Sequence, residues 1–158
     1  MLKFSRKVEY AIIAIMYMAE KPEGELSTAK ELAEKFSIPS ELMGKVLQLL
    51  ARQDLIVSEQ GVKGGYKVIK PLSEISLKEV LWAVSGPVQL VSCIDDDDDC
   101  RCDQLQVCNI KGPMEMIHLK LHRFFEQFTL ADFIENPTGG IPVPLIIPAE
   151  KSAASAAN

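Results

Sequence analysis

Apolar positions recur at helical spacing in five stretches of the chain. Between Ser5 and Glu20, Val8, Ala11, Ile12, Ile15 and Ala19 share one helix face, which Ile13, Met16 and Tyr17 widen. Ala29, Leu32, Ala33 and Phe36 mark a second helix, and Leu42, Val46, Leu49 and Leu50 a third. Leu77, Val80, Leu81 and Val84 mark a fourth. Met114, Ile117, Leu121, Phe124, Phe125 and Phe128 give the fifth and longest stripe, with Lys120, Arg123 and Glu126 opposite. Between the third and fourth helices, Leu55-Ile56-Val57 and Tyr66-Lys67-Val68-Ile69 read as strands around a turn, Gly61-Val62-Lys63-Gly64-Gly65. Glycine suits such a turn because it takes positive φ without steric cost.

Local signals set the boundaries. Thr28 with Glu31, and Ser76 with Glu79, have capping-box spacing, a hydroxyl three residues before a carboxylate. Ser37-Ile38-Pro39 ends the second helix, because proline restricts its predecessor and has no N–H to donate. Ser40 is expected to cap the third helix, Pro71 to stop the second strand and Ser85-Gly86-Pro87 to close the fourth helix. Pro113 opens the long helix. Thr129 is expected to cap a last short helix, Leu130 to Ile134.

The predicted fold class is mainly α with a small β-hairpin wing: a winged helix-turn-helix domain over 1–86, followed by an appended long helix. Ser40, Glu41, Gly44, Lys45 and Gln48 lie off the apolar stripe of the third helix, a layout that offers short polar side chains to a major groove. Lys63 and Gly64, at the hairpin tip, can approach a phosphate backbone closely. Arg6 and Lys7, at the start of the first helix, either hold a phosphate or are ordinary surface charges. Residues 87–112 form a loop, 113–135 the long helix and a short terminal one, and 136–158 a tail rich in Pro, Gly, Ala and Ser. Within the tail, residues 142–148 are too apolar for a free linker. Trp82, the only tryptophan, is expected to be a core or interface anchor.

Charge alters this picture only in its distribution. A net charge of −5 and a pI near 5.1 are not the basic signature of a DNA-binding domain. Residues 1–86, however, carry 12 Lys/Arg against 11 Asp/Glu, whereas 87–158 carry 5 against 11. The acidity lies outside the reader, and residues 60–70 hold Lys63, Lys67 and Lys70 with no acid. No signal peptide is evident, and the apolar run at 10–19 is too short to span a bilayer, so a cytoplasmic protein is expected. No nucleophile–base set or phosphate-binding loop is visible, which argues against an enzyme and a small-molecule substrate.

All four cysteines, Cys93, Cys100, Cys102 and Cys108, fall within sixteen residues. In a reducing cytoplasm such a cluster points to metal or redox duty. The spacing fits neither a zinc ribbon nor a ferredoxin. Asp95 to Asp99 form an unbroken acidic run between them, which reads as a solvated loop. Next to an iron–sulfur cluster, its charge would lower the reduction potential. His118 and His122, one helical turn apart, either pair on a metal or sit on a helix surface.

Ser5-Arg6-Lys7-Val8-Glu9-Tyr10-Ala11, the stretch from Ile38 to Leu47, and Gly61-Val62-Lys63-Gly64-Gly65-Tyr66 together resemble the Rrf-two family of bacterial winged-helix regulators over about residues 1 to 135. The resemblance implies a DNA-binding transcription regulator, homodimeric through the long helix, that holds a 2Fe–2S or 4Fe–4S cluster in a three-cysteine loop. Cys93, Cys102 and Cys108 match that loop, the last two separated by five residues; Cys100 is supernumerary or replaces Cys102. The fourth ligand stays open. IscR-like members carry a histidine three residues after the third cysteine, where this chain has Lys111. NsrR-like members use an acidic side chain from the partner's first helix, the place of Glu9 before Tyr10. Gln60 stands where many members place an arginine before the first wing glycine, which puts minor-groove readout in doubt. Two other readings remain: a cluster-free regulator sensing through a disulfide, with Cys100 and Cys102 as candidates, and an iron–sulfur carrier without DNA function.

Overall fold

A computed structural model describes residues 3–91 and 102–135. Its elements run α1 (Arg6–Glu20), α2 (Ala29–Lys35), α3 (Ser40–Arg52), β1 (Ile56–Glu59), β2 (Gly65–Val68), a 3-10 turn (Leu72–Glu74), α4 (Leu77–Ser85), α5 (Lys111–Gln127) and α6 (Asp132–Glu135). The core is built where α1, α3 and α4 meet. Val8, Ala11, Ala14, Ile15 and Met18 of α1 pack with Met43, Val46, Leu47 and Leu50 of α3 and with Val80, Leu81 and Val84 of α4. Burying each of these larger side chains is worth roughly 1.5–3 kcal/mol.

The buried faces are rotated from those expected. On α3 the inward residues are Met43, Val46, Leu47 and Leu50, while Leu42 and Leu49 are only half-buried. On α1, Ala14 and Met18 replace the exposed Ala19. A row of apolar residues wider than one face leaves the choice of inward edge to the neighbouring helices.

Both capping boxes form. Thr28 accepts from the Glu31 amide while Glu31 returns to the Thr28 amide, and Ser76 and Glu79 do the same at α4. Ser40 does not cap α3. Pro39 holds the cap position with extended backbone, its carbonyl accepts from the Met43 amide at 3.0 Å, and Ser40 is the first helical residue. α5 begins at Lys111, which puts Pro113 at the third helical position, where its missing N–H has no intrahelical acceptor to lose. Thr129 is likewise not an acceptor cap. Its amide and hydroxyl both donate to the Asp132 carboxylate, at 2.7 and 3.0 Å, and α6 starts later than expected, at Asp132.

β1 and β2 pair antiparallel, with Ile56 opposite Val68 and Glu59 opposite Gly65. Each strand is shifted by about a residue from its sequence reading. Ser27 adds one further rung on the other side of the hairpin: its amide donates to the Tyr66 carbonyl at 2.9 Å, and its carbonyl accepts from the Tyr66 amide at 2.8 Å. The wing is therefore fastened to Ser27, the residue just before the cap of α2. Among the described residues no helix is long and apolar enough to cross a membrane.

Candidate nucleic-acid interface

Two features carry the candidate residues: the outer face of α3 and the wing. Ser40, Glu41, Lys45 and Gln48 are exposed on α3. At Gly44 an added Cβ would meet nothing within 4 Å, so this glycine is not required by the fold. It leaves a shallow place on the helix surface where another molecule can come close. Lys45 Nζ lies 2.6 Å from Glu41 Oε1, one turn back, and that bond holds the Glu41 carboxyl below its usual range. Exposed pairs of this kind are weak and yield readily to a phosphate.

The wing tip is tight. Gly61 has φ +135°, the conformation glycine was expected to supply. Gly64 and Gly65 are glycines for a different reason. A Cβ at Gly64 would stand 2.5 Å from the Glu59 carbonyl oxygen, and one at Gly65 would stand 2.9 Å from that of Ser27. Close backbone approach, not positive φ, excludes other residues there. The Gly64 amide closes the turn on the Gly61 carbonyl at 2.9 Å, Val62 projects fully into solvent, and Lys63 is exposed.

The basic patch is smaller than the sequence suggests. Lys67 pairs with Glu59 across the hairpin, and Lys70 pairs with Glu79 of α4. Arg6 pairs with Glu9 at 2.8 Å. Among the described residues, Lys7 and Lys63 are the candidates that make no ion pair. Sequence reading misses one group that orients the interface. Lys21, assigned to a loop, is buried to all but 9% of its side chain and reaches Glu31 at 2.7 Å and Glu25 at 3.2 Å. The contact joins positions ten residues apart across two elements, and no local pattern announces it.

Of the thiols, Cys102 and Cys108 are described, free and half-buried. They sit in consecutive turns: the Leu105 amide bonds to the Cys102 carbonyl at 3.1 Å, and the Val107 amide to the Gln104 carbonyl at 2.9 Å. Two soft, accessible sulfurs suit iron. Cys93, Cys100 and Asp95 to Asp99 lie outside the described residues, as does the tail. Among the described residues no three His, Cys, Asp or Glu side chains come together as a metal site. His118 and His122 stack at 4.1 Å, and His122 Nε2 lies 2.8 Å from the Val88 carbonyl, which ties α5 to the segment that follows α4.

A helix-turn-helix with a hairpin wing and an appended long helix defines a winged-helix regulator. Residues 4–136 match the Rrf2 (Rrf-two) family, described as iron-dependent transcriptional regulators, and the chain belongs to that family. It is similar to the HTH-type transcriptional regulator NsrR of Oceanobacillus iheyensis, 27% identical over 85% of this chain and 91% of that protein. Among solved structures, the fold is shared with CymR, the global cysteine regulator of B. subtilis, at a TM-score of 0.63 and 19% identity over 85% of this chain and 98% of that one. It is shared too with T. potens IscR, at a TM-score of 0.64 and 18% identity over 86% and 88%. Homologues are transcriptional regulators, not enzymes.

Proposed function

We propose that this Rrf2-family regulator works as a homodimer on a pseudo-palindromic double-stranded operator, and that an iron–sulfur cluster governs its binding. The observation that carries the DNA reading is the open Gly44 on the outer face of α3, together with a wing whose tip presents an exposed Lys63. Two copies related by a two-fold axis place their α3 helices in successive major grooves about one helical turn apart. Ser40, Glu41, Gly44, Lys45 and Gln48 then meet base edges, while Lys63, Gly64, Lys7 and Arg6 meet the backbone. Arg6 and Lys45 first give up their own carboxylate partners, and the cost of breaking an exposed pair is small.

Support for a cluster comes from the donor chemistry of Cys102 and Cys108 and from the family's description as iron-dependent. Cys93, Cys102 and Cys108 would hold the cluster, with Cys100 or the partner's first helix, through Glu9, completing it. Bound there, the cluster would supply sensitivity to oxygen, nitric oxide or iron supply. The chain's own part is to present thiolates and to link the loop to α5. Glu9 is engaged with Arg6 in its own chain and would have to leave that pair to become a ligand.

A second reading is disulfide sensing without a cluster, with Cys100 and Cys102 as the candidate pair; Cys102, free and half-exposed, suits it. Anaerobic purification separates the readings. A visible absorption band with matching iron and sulfide, and operator affinity that changes on cluster loss, supports the first. Colourless protein whose operator affinity follows thiol oxidation supports the second. Failure to select any DNA from a random pool would sink both.

A further inference from the structure

Trp82, expected as a core or interface anchor, is 52% exposed on α4, whereas Leu77, Val80, Leu81, Ala83 and Val84 of the same helix are buried. It lines a groove of about 420 Å³ where three parts of the fold meet: Gln53 and Leu55 between α3 and β1, Lys78 and Glu79 on α4, and Glu126 on α5. That volume falls in the range of small-molecule sites. Its walls are fixed without a ligand. Ser76 and Glu79 close the capping box of α4, and the Leu77 amide bonds to the Phe128 carbonyl at 2.7 Å, which holds the start of α4 against the end of α5.

Lys78 Nζ reaches from α4 to Glu126 Oε1 of α5 at 3.1 Å, the one ion pair between these helices among the described residues. Both side chains are partly in water, 39% and 61% exposed, so the pair is weak and open to exchange. Glu79 is already engaged, by the Ser76 amide at 2.8 Å and by Lys70 at 3.5 Å. The Trp82 indole N–H and the Gln53 side-chain amide make no hydrogen bond among the described residues. A ligand entering beside Trp82 therefore meets one exchangeable cation, one exchangeable anion, an apolar ring face and free donors. A lone cation would take Glu126 and leave Lys78 without its partner, and a lone anion would do the reverse. A zwitterion satisfies both, with its carboxylate on Lys78 and its ammonium on Glu126. An apolar side chain on the same ligand would cover the Trp82 ring, which gains free energy as water leaves it.

We propose that this groove binds a free α-amino acid with an apolar side chain, held by Lys78, Glu126 and Trp82. The ligand acts as an effector: it replaces the direct contact between α4 and α5 with a bridge through itself, and so bears on how α5 is held against the winged domain. The inference does not depend on DNA binding or on a cluster.

Trp82 is the only tryptophan, so its fluorescence reports this site alone. The full chain is titrated with L-leucine, and with N-acetyl-L-leucine and L-leucinamide, which keep the side chain but lack the ammonium or the carboxylate. L-methionine and L-phenylalanine repeat the titration, so that the choice of one side chain does not decide the outcome. Binding predicts a saturable change in emission below about 10 mM amino acid, and about tenfold or greater loss of affinity for either blocked leucine. Lys78→Met and Glu126→Gln, each checked for helix content by circular dichroism, should each weaken amino-acid binding about tenfold. No saturable change with any of the three amino acids overturns the proposal. So does L-leucinamide or N-acetyl-L-leucine binding as tightly as L-leucine, which would make the groove a site for a single charge, and so does unchanged affinity in both variants.

Discussion

Lys21 Nζ lies 2.7 Å from Glu31 Oε1, which joins the residue that ends α1 to the capping carboxylate of α2. Glu31 also accepts from the Tyr17 hydroxyl at 2.7 Å and from the Thr28 amide at 3.3 Å, and Lys21 donates to the Leu26 carbonyl at 3.2 Å. The Tyr17 ring lies against Phe36, edge to face, and under the ammonium groups of Lys21 and Lys35. One carboxylate thus caps the start of α2 and ties it to the end of α1.

This network should give stability a pH dependence on the acid side. Burial raises the Glu31 pKa, but the bonds from Lys21, Tyr17 and Thr28 outweigh it and leave the net shift downward. A lowered folded pKa contributes stability that is present above the unfolded value, about 4.3, and is lost as pH falls through the folded one. Burial lowers the Lys21 pKa, but its carboxylate partners leave it raised. Its contribution is present below about 10.4 and fades only above that. Glu31→Gln should therefore lower the melting point near neutrality by about 2–4 °C, near 1 kcal/mol after allowance for the third of Glu31 that water reaches. It should also flatten the melting curve's dependence on pH below the unfolded carboxylate value of about 4.3. Thermal melts across that range check both, and an unchanged acid limb would remove Glu31 from the stabilising set.

At Gly44, stability and function should part. The site has room for a Cβ, and alanine in a helix interior is about 0.5–1 kcal/mol better than glycine. Gly44→Ala should raise the melting point yet weaken operator binding, by roughly tenfold if the methyl group holds the helix off its groove at a cost near 1.4 kcal/mol. Melting and fluorescence anisotropy on the same sample test this. A stabilised variant with full affinity would mean that α3 does not approach DNA at this point.

Charge contacts to phosphate should appear in the salt dependence. Lys63→Ala removes an unpaired lysine and should lower the slope of log K against log salt by about one unit for every sequence tested. Glu41→Ala should do the opposite, since it releases Lys45 from a 2.6 Å ion pair and frees a cation for the backbone. A Lys63 variant with unaltered slope would move the wing away from DNA.

Elements governed by local chemistry were legible in the sequence; those governed by packing were not. The capping boxes at Thr28 and Ser76 specify helix starts from hydroxyl and carboxylate three residues apart, and both formed where expected. Ser40 carried only the hydroxyl of a cap residue, without a carboxylate three residues on, and followed a proline that took the cap position instead. The wing glycines were found for partly the wrong reason: positive φ holds at Gly61, whereas Gly64 and Gly65 answer to carbonyl oxygens of Glu59 and Ser27. Pairing of Lys67 with Glu59 and of Lys70 with Glu79 reduced a basic patch that looked free in a linear count.

The dimer seam expected along α5 divides once the fold is known. Leu121, Phe125 and Phe128 pack on the protomer's own core, whereas Met116, Ile117, Leu119 and Phe124 are between 43% and 52% exposed. A charge at Leu121 would damage the protomer, so it is a poor probe of assembly. Leu119→Asp, at a side chain outside the protomer's core cluster, should leave helix content and melting of the protomer nearly intact while converting dimers to monomers in sedimentation at micromolar concentration. A Leu119→Asp protein that stays dimeric would place the interface on another face.

The thiols make the most specific prediction. Cysteine binds iron as thiolate, and several thiolates beside Asp95 to Asp99 repel one another until a cation offsets their charge. Losing one of three sulfur anchors should therefore abolish the cluster, so Cys93→Ala, Cys102→Ala and Cys108→Ala should each lack iron and sulfide after anaerobic preparation. Cys100→Ala should retain both. Glu9→Ala should keep the cluster but make it labile or shift its spectrum, since three thiolates remain and one iron loses its weakest ligand. Arg6→Ala adds an independent check, because it frees Glu9 from the 2.8 Å pair that now holds it and should favour ligation. Iron and sulfide assays with absorption spectra on these six variants decide the matter. Loss in Cys100→Ala with retention in Cys102→Ala would exchange those two positions. Spectra untouched by both Glu9→Ala and Arg6→Ala would take the first helix out of the site, and with it the direct link from the cluster of one protomer to the DNA reader of the other.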